Sequence, residues 1–290
     1  MTARRLLIAG CGYLGQRVAQ RWRAAGGIVA ALTRRPGRAA ELAGAGITPI
    51  LGDVAEAEAL PPLPPCDAVL FAVGYDRTSG VPQRRVYVDG LRNFLGRLDS
   101  LDVPLLYISS TGVYSQSRGE WVDEDSPAEP TREGGKLCLE AEQMVLQAMR
   151  HARILRLAGI YGPGRLIARA EQLRAGAVLP YRGDAWLNLI HVDDAASAAC
   201  ALLENEPVSE GAMVRRLWLG VDDRPVRRSE FYGRLAECLG APPPRFAADD
   251  DGGLGKRCSN RRLRTEWGWS LRYPTTETGL PQAVHEARFA

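Results

Sequence analysis

The chain has 290 residues, 46% of them hydrophobic and 24% charged, with a net charge of +3. That length buries a substantial core in one large or two modest domains, and the interspersed charge excludes nucleic acid or an anionic membrane as the main partner. Six cysteines stand singly at 11, 66, 138, 200, 238 and 258, with no C-x-x-C and no histidine cluster, so no metal site is read and reduced thiols in the cytoplasm are expected.

The opening "MTARRLLIAGCGYLG" sets two arginines before an apolar run that is short and broken by glycines, which reads as strand and turn rather than signal peptide. No segment approaches the roughly 18 apolar residues that a bilayer crossing needs. "RLLIAG" (5–10) is a buried strand, and 13–27 is a helix with Leu14, Val18, Trp22 and Ala25 at helical spacing. "GIVAAL" (27–32), "ITPIL" (47–51) and "DAVLFAV" (67–73) are further strands, the last reached through the Pro-rich 61–65. A helix around 84–98, the strand "PLLYISS" (104–110), a helix carrying Lys136 and the strand "ARILRLAGIYG" (152–162) continue the alternation. Such alternation specifies an α/β chain with a Rossmann-type, doubly wound parallel sheet. Beyond about 166 the pattern loosens into a helix at 191–204, a strand at 214–220, a helix at 228–240 closing on Gly240, and a Pro- and Asp-rich stretch at 241–253.

Gly10-x-Gly12-x-x-Gly15 stands where the first strand gives way to the first helix, the context in which this spacing cradles a pyrophosphate on a helix N-terminus. Tyr13 and Leu14 lie inside the turn. The second strand ends in Thr33, Arg34 and Arg35, with no carboxylate before Glu41. An acid there would bond a ribose 2′-hydroxyl, whereas arginine forks match a 2′-phosphate, so NADP is expected over NAD.

These segments together resemble the extended short-chain dehydrogenase/reductases, the NAD-dependent epimerase/dehydratase family, over most of the chain. "IAGCGYLGQ" resembles that family's cofactor turn and "LGDV" its third-strand end, where Asp53 and the following Val54 would meet the adenine. "YISSTGVY" resembles its active-site strand, "EDSPAEPTREGGKLCLEAEQ" its catalytic-helix entry, and "LRLAGIYGPGR" and "NLIHVDDAA" its later signatures. The resemblance implies a Rossmann domain of residues 1–165 plus about 188–220, and a small C-terminal substrate lobe of about 166–187 plus 221–290. It also implies a hydroxyl residue that positions substrate, here Ser110 with Ser109 and Thr111 as fallbacks, and a lysine on the nicotinamide ribose, here Lys136.

The chain departs from that pattern at one decisive place. Its two lysines are Lys136 and Lys256, and four residues before them stand Arg132 and Gly252, so no Y-x-x-x-K occurs anywhere. At a second position, where the family has a bracing asparagine, stands Tyr87. A proton carrier is then sought in Tyr114, Tyr75, Tyr87, Tyr161 or Glu133. The expected function is an NAD(P)-dependent oxidoreductase or epimerase/dehydratase-like enzyme acting on a small molecule, a nucleotide-sugar being one candidate, with a non-standard proton donor. The alternatives are an enzyme that needs no strong protein acid, and a non-catalytic NADP(H)-binding sensor or regulatory protein. A homodimer is compatible with this reading. Arg257, Arg261 and Arg262 are candidate clamps for an anionic substrate, set against a reading in which their segment is a helix packing Leu263 and Trp267 with arginines outside.

Overall fold

The computed structural model describes residues 3–165, 167–204, 215–247 and 253–287. Position 214 of the expected last strand and positions 248–252 of the Pro- and Asp-rich stretch lie outside the described residues. Seven parallel strands form the central sheet: β1 (Arg5–Ala9), β2 (Ile28–Thr33), β3 (Thr48–Leu51), β4 (Ala68–Phe71), β5 (Leu105–Ser110), β6 (Ala152–Leu157) and β7 (Leu217–Gly220). Their order is β7-β6-β5-β4-β1-β2-β3, so the winding reverses between β1 and β4. A crevice opens at such a point beyond the carboxyl ends of the strands.

Both faces of the sheet are covered, which explains why β1 and β4 read as continuous apolar runs instead of alternating ones. On one face Leu6, Ile8 and Leu106 pack against α1 (Tyr13–Ala24), through Val18 and Trp22, and against the alanine-rich α6 (Val192–Glu204). On the other, Leu7, Phe71 and Tyr107 pack against α3 (Gly90–Leu95) and α4 (Glu133–Ala148). A separate cluster joins Tyr161, Leu179 and Leu189 to α5 (Ile167–Arg174), α7 (Arg228–Leu239) and α9 (Thr276–Ala287). α7 stops on Gly240 at φ +63°, the left-handed cap its sequence announces.

Two expected elements differ. The apolar 152–162 run is not one strand: β6 ends at Leu157, and Gly159–Tyr161 leaves the sheet to pair in parallel with Leu189–His191. Continuous hydrophobicity carries no signal of such a bend, because both halves are buried. The helix around 84–98 begins instead as a π-helical turn, Arg85–Asp89, before α3 takes over and ends at Gly96. Short π-helical turns recur at functional sites, and this one carries Val86 and Tyr87 to the crevice.

Candidate functional site

The three glycines do three different jobs. Gly10 has φ +90°, and a Cβ on it would lie 2.4 Å from the backbone of Ala72, so the loop after β1 reaches the end of β4 only with glycine there. A Cβ on Gly15 would lie 2.5 Å from the Gly10 carbonyl, which fixes the close approach of α1 to β1. Gly12 differs: a Cβ there would meet nothing within 4 Å. It is the N-cap of α1 without a side-chain cap, so the first N–H groups of the helix face open space suited to an anion. That space belongs to a cleft of about 1030 Å³ running across the carboxyl edge of the sheet.

Most of the expected cofactor residues are gathered in this cleft: Gly10, Gly12, Tyr13, Leu14, Thr33, Arg34, Arg35, Asp53 and Val54 all line it. Asp53 accepts from the Ala55 N–H at 2.9 Å, which fixes its carboxylate at the wall. Arg38 was not foreseen. It donates to the Cys11 carbonyl at 3.1 Å and pairs with Glu41 three residues on, tying α2 (Pro36–Gly44) to the glycine turn. Tyr13 donates to the Pro163 carbonyl at 2.9 Å, with Arg17 and Arg165 over its ring, so the glycine turn is braced by the segment after Tyr161. The open cradle at Gly12, the uncapped helix end and the arginines beyond β2 fit a dinucleotide with its pyrophosphate on α1.

At the other end the cleft is lined by Ser109, Ser110, Tyr75, Tyr87, Cys138 and Ile160. The Ser110 hydroxyl accepts from the Gly112 N–H at 3.0 Å, which leaves its own hydrogen for a bound group. Ser109 donates to Glu142 at 2.5 Å, and Glu142 forms a buried, two-pronged pair with Arg156 at 2.9 and 2.6 Å. The Tyr87 phenol is half-buried beside Tyr75. Burial pushes its pKa up, the neighbouring Cys138 adds to this, and contacts from Gln83 and the Tyr75 backbone only partly offset it. It therefore stays protonated at neutral pH and is a donor.

Three expected catalytic placements are corrected here. Lys136 is exposed and lines a separate shallow hollow with Glu129, Pro130, Leu139, Glu140 and Gln143, not the cleft. Two residues along a helix is a rotation of about 200°. The cleft-facing residue of α4 is therefore Cys138, and one turn before it on the same face stands Gly134. Burial first, then Glu142, pushes the Cys138 thiol up to about 11, so it is no nucleophile at neutral pH. Lys256, half-buried, donates to the Tyr114 carbonyl at 2.7 Å, so neither lysine lines the cleft.

Tyr114 is 3% exposed; its hydroxyl donates to the Asp123 carbonyl at 2.7 Å and accepts from Arg156 at 2.7 Å. Burial, opposed by Arg156, pushes that phenol up to about 12, and it does not line the cleft. Thr111 is buried against Cys258 and away from the cleft. Of the other carriers considered, Tyr161 is buried in the C-terminal cluster, and Glu133 lies in the first turn of α4 outside the cleft. Tyr75 spends its hydroxyl on the Val81 carbonyl at 3.0 Å. Tyr87 alone among them lines the cleft without a fixed acceptor for its proton.

The substrate arginines are corrected as well. Arg257 donates to the Gly119 carbonyl at 2.8 Å and lies over Trp121 and Trp186, on a strand paired with Arg118–Val122. Arg261 is exposed at the start of α8 (Arg261–Trp267), which buries Leu263 and Trp267 on the sheet, and neither arginine lines the cleft. His191 is fully buried, bonded to Gln282 at 2.8 Å, and is structural. Among the described residues no group of His, Cys, Asp and Glu is arranged to hold a metal ion, and no helix is long and apolar enough to cross a membrane.

Comparison with known proteins agrees with this geometry. The model of the NAD dependent epimerase/dehydratase family matches residues 6–214. A solved structure of a putative NAD-dependent epimerase/dehydratase from Methylobacillus flagellatus superposes with a TM-score of 0.77 at 30% identity, over 99% of this chain and 100% of that one. Protein YeeZ of Escherichia coli K12 is 28% identical over 76% of this chain and 77% of its own. A 3-diazoavenalumate denitrifying reductase from a Streptomyces species is 33% identical over 49% of this chain and 50% of its own.

Proposed function

The chain belongs to the NAD dependent epimerase/dehydratase family, and from that premise we propose that it is an oxidoreductase that uses NADP(H) in preference to NAD(H) to reduce a small molecule, with Tyr87 in the role of proton donor. The observation that carries the reading is Gly12: an open cradle at an uncapped helix end, in a cleft lined by Arg34, Arg35 and Arg38. Bound there, the dinucleotide supplies the hydride.

The chain's own groups do the rest. The first turn of α1 holds the pyrophosphate charge, and Arg34 and Arg35 face the adenosine ribose end. Ser110 offers its hydroxyl hydrogen to an oxygen or nitrogen of the substrate. Tyr87 keeps its proton because burial outweighs the pull of Gln83, the Tyr75 backbone and Arg77, and no lysine lines the cleft. A phenol so placed is held in its protonated form at neutral pH, the form that a reductive step needs from its proton donor. The likeness to a protein named as a reductase supports the same direction.

NADPH titration by fluorescence, followed by a screen of carbonyl compounds and nucleotide-sugars for cofactor oxidation, tests this. Gly12→Val should lose at least about tenfold in NADPH affinity with an unchanged melting temperature, because only open space is filled. Tyr87→Phe should keep the affinity and lose on the order of a hundredfold in turnover. Undiminished turnover in Tyr87→Phe would dismiss Tyr87. Tight NADPH binding with silence across the whole panel would transfer the reading to a dinucleotide-binding sensor.

A further inference from the structure

β2 ends in arginines where a carboxylate would accept the ribose hydroxyls, yet the fold brings a carboxylate to that place from another loop. Asp76 lies in the connection after β4, and its Oδ2 accepts from Nη2 of Arg34 at 2.9 Å, with both residues lining the cleft. Its Oδ1 accepts from the Thr78 N–H at 3.0 Å and the Thr78 hydroxyl at 2.6 Å, and the Ser79 hydroxyl donates to the Asp76 carbonyl at 2.7 Å. The loop thus hooks onto itself and presents one carboxylate oxygen toward Arg34. The bonds from Thr78 hold this carboxyl below its ordinary range, so it is charged at neutral pH.

We propose that Asp76 is a cofactor-selecting residue, which accepts from the ribose hydroxyls of an unphosphorylated dinucleotide and competes with a 2′-phosphate for the Arg34 guanidinium. The proposal rests on the dinucleotide reading of the cleft. Two states follow from it. With NAD(H), Arg34 stays on Asp76 and the carboxylate takes the role that an acid at the end of β2 would otherwise fill. With NADP(H), Arg34 turns to the phosphate, and Asp76 is left facing a second negative group. The Arg34–Asp76 pair has side-chain exposures of 38% and 47%, and ion pairs so open to water are weak, so Arg34 is not locked in the first state. The preference for NADP(H) is therefore the margin of Arg34 and Arg35 over Asp76, and the site keeps a measurable affinity for both cofactors.

The dissociation constants of NADPH and NADH, measured by fluorescence for wild type, Asp76→Asn, Asp76→Ser, Arg34→Ala and the Arg34→Ala/Asp76→Asn double variant, test this directly. Each variant is first checked for an unchanged melting temperature. Either Asp76 variant should raise the ratio of NADH to NADPH dissociation constants roughly fivefold or more, the size expected for one unshielded charge at an exposed site. In the Arg34→Ala background the same change should be at least halved, because the competition has lost its object. A ratio within twofold of wild type in both Asp76 variants, with both cofactors still bound, overturns the role of Asp76 and leaves the cofactor reading standing. Failure of every protein to bind either nucleotide below millimolar concentration removes the cofactor reading and this proposal with it.

Discussion

Arg156 and Glu142 are charged residues buried to 4% and 3% exposure beneath the end of the cleft that Ser109 and Ser110 line. Their two-pronged pair also takes the Ser109 hydroxyl and the Tyr114 phenol, so β5, β6, α4 and the turn after β5 meet in one network. Removing one charge strands the other in a medium that solvates it poorly, a loss of about 3–5 kcal/mol, while replacing both with apolar groups of similar size is far better tolerated. Urea denaturation should therefore find Arg156→Met destabilised by about 3–5 kcal/mol, with Glu142→Leu/Arg156→Met restored to within about 1–2 kcal/mol of wild type. Additive losses in the double variant would show that the pair does not act as a unit. Part of this was legible, since an arginine inside the apolar "ARILRL" run calls for a buried partner. Which partner was not legible, because Glu142 and Ser109 come to it from other elements.

The rotation of α4 about its axis decides which of its side chains meet the core and which meet solvent. Leu137, Cys138, Ala141, Glu142 and Val145 are buried, whereas Lys136 stands with Glu140 and Gln143 at the outer hollow. The i, i+3, i+4, i+7 stripe through Cys138, Ala141, Glu142 and Val145 was present in the sequence and fixes the inward face. Lys136 stands on the opposite side of the helix, where a compact ammonium meets solvent. Consequently Lys136→Met should bind NADPH within twofold of wild type, measured by the same titration. A tenfold weakening would return Lys136 to the ribose and contradict the helix rotation. The π-helical turn was illegible for a related reason. A period of 3.6 and a turn widened by one residue give the same apolar pattern over five positions, and here it is the wide turn that carries Tyr87 to the cleft.

Across the whole molecule, the doubly wound sheet was readable because each buried strand and each amphipathic helix is a local pattern. The contacts by which the chain's last third returns were not, since they pair residues far apart. Asp194 accepts the N–H groups of Arg272 and Tyr273 at 2.7 and 2.9 Å, and Trp269 donates to Ser197 at 2.9 Å, closing the C-terminal segment onto α6. Glu124 makes a similar tie at the far edge of the sheet: its carboxylate accepts the Leu219 N–H of β7 at 2.8 Å, with Arg262 of α8 at 3.6 Å. Burial pushes the Glu124 carboxyl up to about 7, against the pull of the Leu219 N–H and Arg262. In the unfolded chain the same group ionises near 4.5, so between those values the folded state holds more protons than the unfolded one. Stability from this residue is then fully present below about pH 4.5 and is lost as pH rises through about 7. The span corresponds to a loss on the order of 3 kcal/mol. Glu124→Gln keeps an acceptor for Leu219 but carries no charge, so its stability relative to wild type should rise between pH 5.5 and pH 8 by about 2 kcal/mol or more. Urea melts of both proteins at those two values check this, and a difference that stays constant with pH would mean that Glu124 ionises in the folded chain as easily as in water.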